Sequence, residues 1–212
     1  MSKLDEVIGK LNKQYGQTVV STDKDSIAFK VKDRVPFPTP ALTYLFGGGL
    51  PTNIIMEIAG GFSSGKSSLA MAIAGEFQRY YKQKWQARVD ELTNQDKLNK
   101  DEAKELAELK ENGHKRVVWL DIEQSMRDEN WVKKNKLDAD DLVYYRPDDQ
   151  SAEEILDATI KLVETGCVCL VVLDSIAALT SASALKKDLT EKTYCGVSGV
   201  MHTFTISIVP LL

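Results

Sequence analysis

The 212-residue chain has little cysteine and histidine, with three and two residues respectively. Cys167 and Cys169 lie in an apolar run, which is typical of buried, reduced thiols, and a lone Cys-x-Cys with so few histidines is a weak indication of a metal site. The sequence also lacks an apolar run near the roughly 20 residues that a membrane span needs, and its first residues show no signal-peptide pattern. We therefore expect a cytoplasmic protein without a membrane partner.

Charge of one sign is not in large excess either. The formal net charge is -4 and the sequence pI is about 5.3, so binding to nucleic acid would require a local basic patch. Hydrophobic residues make up 43% and charged residues 27%, which excludes a disordered or fibrous chain. The length suits one well-buried α/β domain with an appendage.

The amino-terminal residues form a separate pattern. Apolar residues at three- and four-residue spacing predict an amphipathic helix over residues 3–15, and short strands are predicted at residues 18–21 and 26–31. Three prolines between residues 36 and 40 then indicate a stiff connector. We predict that residues 1–40 form an arm and linker, which needs a surface to pack on, either its own core or a neighbouring subunit.

Small residues crowd into the stretch AGGFSSGKSSLAM, residues 59–71. It contains the spacing Gly-x-x-x-x-Gly-Lys-Ser, and an apolar run at residues 53–60 predicts a buried strand before it. After it, apolar residues at steps of four predict a helix: Leu69, Ile73, Phe77 and Tyr81. A strand, this loop and a helix in succession predict a phosphate-binding loop.

The residue types in this loop suit an anion. Glycine lets successive backbone N–H groups point inward, and the helix that follows adds its positive dipole end. Lys66 is predicted to reach the β and γ phosphates of ATP, and the Ser67 hydroxyl to ligate Mg²⁺. The predicted nucleotide-binding residues of the loop are Gly60, Gly61, Phe62, Ser63, Ser64, Gly65, Lys66, Ser67 and Ser68.

Residues 82–114 mix acidic and basic residues closely and hold no proline. Their apolar positions are few, so we predict a solvated helical insertion into a core over residues 41–212. A partner-binding hairpin is the alternative.

Two predicted strands end in acidic residues. The run RVVWLDIE, residues 116–123, predicts a buried parallel strand with Asp121 and Glu123 at its carboxyl end, where open α/β sheets bind ligands. A carboxylate there can act as a general base on a water that attacks a γ phosphate, which is the role predicted for Glu123; a helix cap is the alternative.

A capping box of Ser151 and Glu154 starts a further helix, and Gly166 ends it. The apolar run at residues 167–175 then predicts a central strand that ends in Asp174. Asp174 is predicted to hold the Mg²⁺ shell, with a strand-end cap as the alternative.

The segments MEIAGGFSSGKSSLAMAIA, VVWLDIE and LVVLDSIAALT resemble those of the bacterial RecA recombinase family. The segments IGKLNKQYGQTVVS and ALTYLFGGGLP resemble that family's amino-terminal arm and the turn before its first core strand. The resemblance implies an α/β RecA-like P-loop ATPase core with a central, mostly parallel sheet. It also implies that Glu123 activates water, that Asp174 lies on the metal side and that Trp131 stacks on adenine; for Trp131 a core position is the rival interpretation.

The same resemblance implies an ATP-dependent DNA recombinase of homologous recombination and repair, which uses ATP and Mg²⁺. Its partners would be single-stranded DNA and further copies of the chain, joined into a filament through the arm. The segment Ser183 to Gly199 takes the place of the first DNA-binding loop, and its candidate contacts are Lys186, Lys187, Lys192 and Tyr194.

Other functions fit part of the same pattern: a hexameric helicase or packaging ATPase on the same fold, or an ATP-binding regulator that uses residues 82–114. The sequence stops at residue 212. There the resemblance predicts a further strand, a second DNA-binding loop and a carboxyl-terminal domain. We expect ATP binding to survive without them, and DNA-stimulated hydrolysis to depend on them.

Overall fold

A computed structural model describes residues 2–16, 20–21, 31, 33–186 and 196–212. They belong to two compact units, Met1–Lys32 and Asp33–Leu212, so that the proline-rich stretch falls in the second. The two short strands predicted for the arm lie almost entirely outside the described residues. Within the described part of the chain, no helix is both long and apolar enough to cross a membrane.

The first unit contains helix α1, Lys3–Tyr15, over the range that the apolar spacing predicts. Ser2 and Asp5 form a capping box at its start, and Gly16 ends it in the left-handed conformation at φ 67°. The helix buries no residue within its unit, and Leu4 on its apolar face is 61% exposed.

The second unit has a mixed α/β fold. Its strands are β1 (Arg34–Val35), β2 (Leu50–Pro51), β3 (Arg116–Asp121), β4 (Leu142–Tyr145) and β5 (Val168–Asp174). Its helices are α2 (Pro40–Leu45), α3 (Lys66–Thr93), α4 (Lys100–Asn112), α5 (Glu129–Lys134), α6 (Ala152–Glu164), α7 (Ala182–Leu185) and α8 (Gly196–Ile208).

Three strands form a parallel sheet in the order β4-β3-β5, and β1 pairs antiparallel with β2. The register places Asp121 opposite Asp174, so both carboxylates lie at the same edge of the sheet. The sequence predicts a central position for β5, and this is wrong for the described residues: β3 is central and β5 pairs with β3 alone. An apolar run indicates burial, but does not say on how many sides a strand is paired.

Side chains alternate along β3 between two cores. Val117 and Trp119 pack with α3 on one face, whereas Val118 and Leu120 pack with α6 and partly buried residues of α8 on the other. This alternation is the period of two that a strand imposes. The second unit is therefore a sheet with helices on both faces, which explains why β3 is an almost continuous apolar run.

The strand predicted at residues 53–60 is absent from the described structure, and this prediction is wrong. The segment runs from β2 to the glycine loop without pairing to a strand of the described chain. Ile54 is 44% exposed and Ile55 is 55% exposed. Met56 and Ile58 are partly buried against the α3 core. Apolar composition favours a strand only where another strand accepts its backbone hydrogen bonds, and the described chain supplies none to this segment.

The predicted insertion at residues 82–114 is a helical hairpin. Its first half continues α3, and its second half is α4, which starts with a capping box at Asn99. Arg88 donates two hydrogen bonds to the Glu105 carboxylate, at 2.8 and 2.7 Å, and the indole Nε1 of Trp85 donates to the Leu109 carbonyl at 2.8 Å. These contacts hold the two helices antiparallel although their apolar stripe is thin.

A carboxylate joins α3 to the start of β1. Asp33 accepts hydrogen bonds from the Tyr80 hydroxyl and the Lys84 ammonium, both at 2.5 Å. Burial acts to raise the pKa of Asp33, but the hydrogen bonds from Lys84 and Tyr80 outweigh it and hold the pKa below its usual value. The Asp33 hydrogen bond, followed by burial, raises the pKa of Tyr80 to about 12.

We expect Tyr80→Phe to lower the free energy of unfolding at pH 7 by about 1.5–3 kcal/mol, because a hydrogen bond to a charged group is lost. Asp33 contributes to the free energy of unfolding at pH values above the carboxyl pKa of the unfolded chain. This contribution is lost as the pH falls through the lower pKa that Asp33 has in the folded protein. Urea unfolding should therefore show an Asp33→Asn deficit at pH 7 that shrinks in acid. Tyr44→Phe is the control, because Tyr44 is 89% exposed. Equal stability of the two Tyr→Phe variants would show that the hydrogen bond between Tyr80 and Asp33 does not stabilise the fold.

Candidate nucleotide site

The glycine loop between residues 60 and 65 is shaped by its backbone. Ser63 and Gly65 both have positive φ, 56° and 89°, and the Ser64 N–H donates to the Gly61 carbonyl at 3.3 Å. A Cβ added at Gly60 would lie 2.7 Å from the Ser64 Oγ, so a larger residue there would require the Ser64 hydroxyl to move. The Phe62 side chain is fully exposed.

Helix α3 begins directly at the predicted phosphate ligand Lys66. Its N-cap residue is Gly65, which provides no capping side chain, and its first turn holds no acidic residue. By contrast, α1, α4, α5 and α6 all carry side-chain caps at their starts. The backbone N–H groups at the start of α3 therefore have no capping side chain from the helix itself, as is also the case for α2 and α7.

The Lys66 side chain lies over this loop, with its ammonium 2.9 Å from the Gly61 carbonyl. A cavity of about 210 Å³ adjoins it. The lining residues are Ser63, Ser64, Gly65, Lys66, Ser67, Ser68 and Trp131. Gly60, Gly61 and Phe62, also predicted ligands, belong to the same loop but do not line this cavity.

Trp131 is brought to the loop from a distant part of the sequence by α5. Asp128 caps this helix, and its carboxylate accepts hydrogen bonds from the backbone N–H groups of Asn130 and Trp131 at 2.9 and 3.3 Å. The indole is partly buried against the core beneath α3 and also faces the cavity. Trp131 thus packs against the core and also lines the loop cavity, and the stacking on adenine stays a prediction.

A second group of polar residues lies at the carboxyl ends of β3 and β5. Glu123 is exposed, and its carboxylate accepts a hydrogen bond from the Ser175 hydroxyl. Its backbone N–H donates to the Asp174 carbonyl at 3.3 Å, and that of Ile122 does so at 2.9 Å. The structure therefore brings Glu123 next to the end of the strand that carries Asp174.

Asp121 also belongs to this group, although its sequence pattern predicts no function for it. It is fully buried, and its carboxylate accepts hydrogen bonds from Ser125, Met126 and Tyr144. The Ser125 hydroxyl also lies 3.5 Å from Asp174 Oδ2. The sequence carries a signal for Asp121, because it is an acidic residue at the end of β3. Its partners, however, come from β4 and from the loop after β3, which only the fold brings near.

Two guanidinium groups border the same loop. Arg127 donates to the Gln124 carbonyl at 2.9 Å, and Arg146 donates to the Gln124 side-chain oxygen at 2.8 Å. Gln124 itself has a φ of 53°, which is uncommon outside glycine. The loop after β3 is therefore held in one conformation from several sides.

The described residues contain no group of three or more His, Cys, Asp or Glu side chains that could hold a metal ion. Ser67 lines the loop cavity, and Asp174 lies at the end of β5. A hydroxyl and a carboxylate oxygen are ligands that suit Mg²⁺, which commonly completes its shell with water and substrate phosphate oxygens. These two side chains offer the kind of oxygen ligands that Mg²⁺ takes when it is bound together with a nucleotide, and they are too few for an all-protein cage.

The candidate DNA-binding segment is described only at its ends. Lys186 is exposed just after α7. The other three candidates, Lys187, Lys192 and Tyr194, lie outside the described residues.

The fold and this group of residues define a class of α/β proteins with a candidate ligand site at the carboxyl edge of a parallel sheet. A model of the RecA N-terminal domain family matches residues 102–204. The protein RecA of Thioalkalivibrio sulfidiphilus is 27% identical over 187 residues, which is 88% of this chain and 44% of the relative. The protein RecA of a Wolbachia strain is 28% identical, with 88% of this chain and 42% of the relative covered.

These matches confirm the resemblance inferred from the sequence: the chain is similar to RecA proteins over 88% of its length, at low identity. It spans less than half the length of these two relatives.

Proposed function

We propose that this chain is the nucleotide-binding part of an ATP-dependent, RecA-type DNA recombinase. The observation that carries the proposal is the cavity shared by the glycine loop and Trp131, because it joins a phosphate-binding pattern to an aromatic ring from a different element. A cavity of about 210 Å³ that is open to solvent suits a nucleotide that lies along the loop and is only partly enclosed.

In this proposal the backbone N–H groups of residues 60–68 receive the phosphate oxygens of ATP. Lys66 moves from the Gly61 carbonyl to the phosphates, where its charge is better matched. Trp131 stacks on the adenine. Ser67 and Asp174 hold Mg²⁺, which would neutralise phosphate charge when bound.

Glu123 acts as the general base in the proposed hydrolysis. Its carboxylate is exposed and accepts a hydrogen bond from Ser175, so it is oriented and remains accessible to a water molecule. Proton transfer from that water to the carboxylate would accompany attack on the γ phosphate. The resemblance to RecA assigns the same role to this position.

The proposed partners are single-stranded DNA and further copies of the chain. Helix α1 supports the second, because Leu4, Val7 and Tyr15 on its apolar face are exposed within their unit. A helix with such a face buries it on another surface, and a head-to-tail contact between copies would generate a filament. The DNA contact is assigned to residues 183–199, including Lys186, Lys187, Lys192 and Tyr194.

The test is ATP turnover with and without single-stranded DNA. We expect the chain to bind ATP. A rise in turnover when DNA is added would show that residues 183–199 couple DNA binding to hydrolysis without the further segments that the resemblance predicts, and this rise should weaken as salt is increased, because phosphate contacts release counterions. Heparin, a polyanion without bases, is the control for charge alone.

ATP turnover that does not change with DNA would mean that the further segments predicted by the resemblance carry the coupling between DNA and hydrolysis. Tight ATP binding without turnover would limit the chain to nucleotide binding and place hydrolysis outside it. Absence of ATP binding would contradict the proposal as a whole.

A further inference from the structure

We propose that Asp121 is a positioning residue for Glu123, and that the Tyr144 hydroxyl supports this role through its hydrogen bond to Asp121. The buried Asp121 carboxylate holds the loop that follows β3, and this loop carries Glu123. The inference rests on the proposed role of Glu123 in ATP hydrolysis and extends it to two residues that do not touch the reacting atoms.

The contacts of Asp121 divide between its two oxygens. Oδ1 accepts from the backbone N–H of Ser125 at 2.8 Å and from its hydroxyl at 3.1 Å. Oδ2 accepts from the backbone N–H of Met126 at 3.1 Å and from the Tyr144 hydroxyl at 2.6 Å. Four donors therefore converge on one fully buried side chain, and three of them belong to the loop.

These contacts fix the loop on the far side of Glu123. On its near side, the N–H groups of Ile122 and Glu123 are fixed to the Asp174 carbonyl. Between the two anchors lies Gln124, whose φ of 53° must be maintained by its surroundings. Without the hydrogen bonds to Asp121, the φ of Gln124 could return to a negative value. The Glu123 carboxylate would then turn away from its present position beside Ser175.

A carboxylate is the side chain that fits these four donors. It offers acceptor sites on both oxygens, whereas an asparagine would present an N–H group to one pair of donors. A buried donor left without an acceptor costs free energy. Asp121→Asn would therefore break the hydrogen bonds of one of two groups, either those from Ser125 or those from Met126 and Tyr144.

Tyr144 reaches Asp121 from β4, the neighbouring strand, and is paired in register with Trp119. Partial burial, together with the hydrogen bond to Asp121, raises the pKa of Tyr144 to about 12. The phenol is thus a proton donor throughout the neutral range. The adjacent Tyr145 makes a comparable bond to a different acceptor, Gln150 Oε1, at 2.6 Å.

The test compares Tyr144→Phe with Tyr145→Phe, because each substitution removes one hydroxyl from the same strand. Tyr144→Phe is expected to lower kcat for ATP about 5- to 20-fold without changing KM, since it loosens the Glu123 loop and leaves the glycine loop intact. Tyr145→Phe is expected to keep wild-type values. In a Glu123→Gln background, Tyr144→Phe should cause no further fall, because the residue it positions is already inactive.

Backbone amide hydrogen exchange gives a readout that does not depend on turnover. Exchange at Ser125 and Met126 should be faster in Tyr144→Phe and unchanged in Tyr145→Phe. Asp121→Asn should show the larger effect in both readouts, and Tyr144→Phe keeps the test valid if that variant does not fold.

Equal kcat in the two Tyr→Phe variants, or a further fall in the Glu123→Gln background, would overturn the positioning role. Failure of the proposed function is distinguishable, because it would appear as wild-type turnover in Glu123→Gln itself. In that case the exchange rates decide whether Asp121 and Tyr144 hold the loop: unchanged rates at Ser125 and Met126 reject it, and faster rates support it.

Discussion

Replacing Glu123 by glutamine is expected to lower ATP turnover by about 10²- to 10⁴-fold, the usual contribution of a general base. The amide keeps the size of the side chain and can still accept the Ser175 hydrogen bond through its oxygen. It cannot accept a proton from water. Nucleotide affinity should stay within about twofold of wild type, since the loop that binds phosphate is not altered.

The measurement is single-turnover hydrolysis at saturating ATP, paired with equilibrium binding of the nucleotide. Glu129→Gln is the matched control, because Glu129 is exposed at the start of α5 and forms an ion pair with Lys133 at 2.6 Å. A Glu123→Gln variant that turns over ATP like the control would show that another group activates the water.

Substitution of Lys66 by alanine should weaken ATP binding by about 30- to 150-fold, the equivalent of a lost hydrogen bond between charged partners, about 2–3 kcal/mol. The Lys66 ammonium donates a hydrogen bond to a backbone carbonyl, that of Gly61. The unliganded protein should therefore lose little stability, and the effect should appear when nucleotide is present.

Isothermal titration with ATP and Mg²⁺, together with thermal unfolding in both states, separates the two effects. Lys82→Ala provides the control, since Lys82 lies exposed on the same helix, away from the loop. Unchanged affinity in Lys66→Ala would remove the glycine loop from the proposed site. A large drop in stability without nucleotide would instead assign Lys66 a structural role.

Local signals in the sequence predicted several elements at their observed positions. The capping box predicted at Ser151 lies at the start of α6, and the predicted stop glycine Gly166 lies just past its end. These signals succeed because a cap is formed by residues three positions apart, with no contribution from the rest of the fold. The helix after the glycine loop was predicted for a similar reason.

The errors occurred where pairing decides the structure. The apolar run at residues 53–60 and that of β5 look alike in sequence, yet only β5 joins the sheet, and only along one edge. The charged insertion was predicted to be helical, but its hairpin form depends on Arg88, Trp85 and their partners on α4. Strand pairing and helix pairing are long-range contacts, which a local pattern does not specify.

The sequence by itself determined the glycine loop with Lys66, the helix that follows it and the acidic ends of two apolar strands, because each depends on residues close together in the chain. The tertiary structure alone decided that Trp131 faces the loop cavity and that Asp121 gathers Ser125, Met126 and Tyr144 around one carboxylate. The physical reason is that parallel strands align their carboxyl ends at one edge of the sheet, which brings together residues that are distant in sequence.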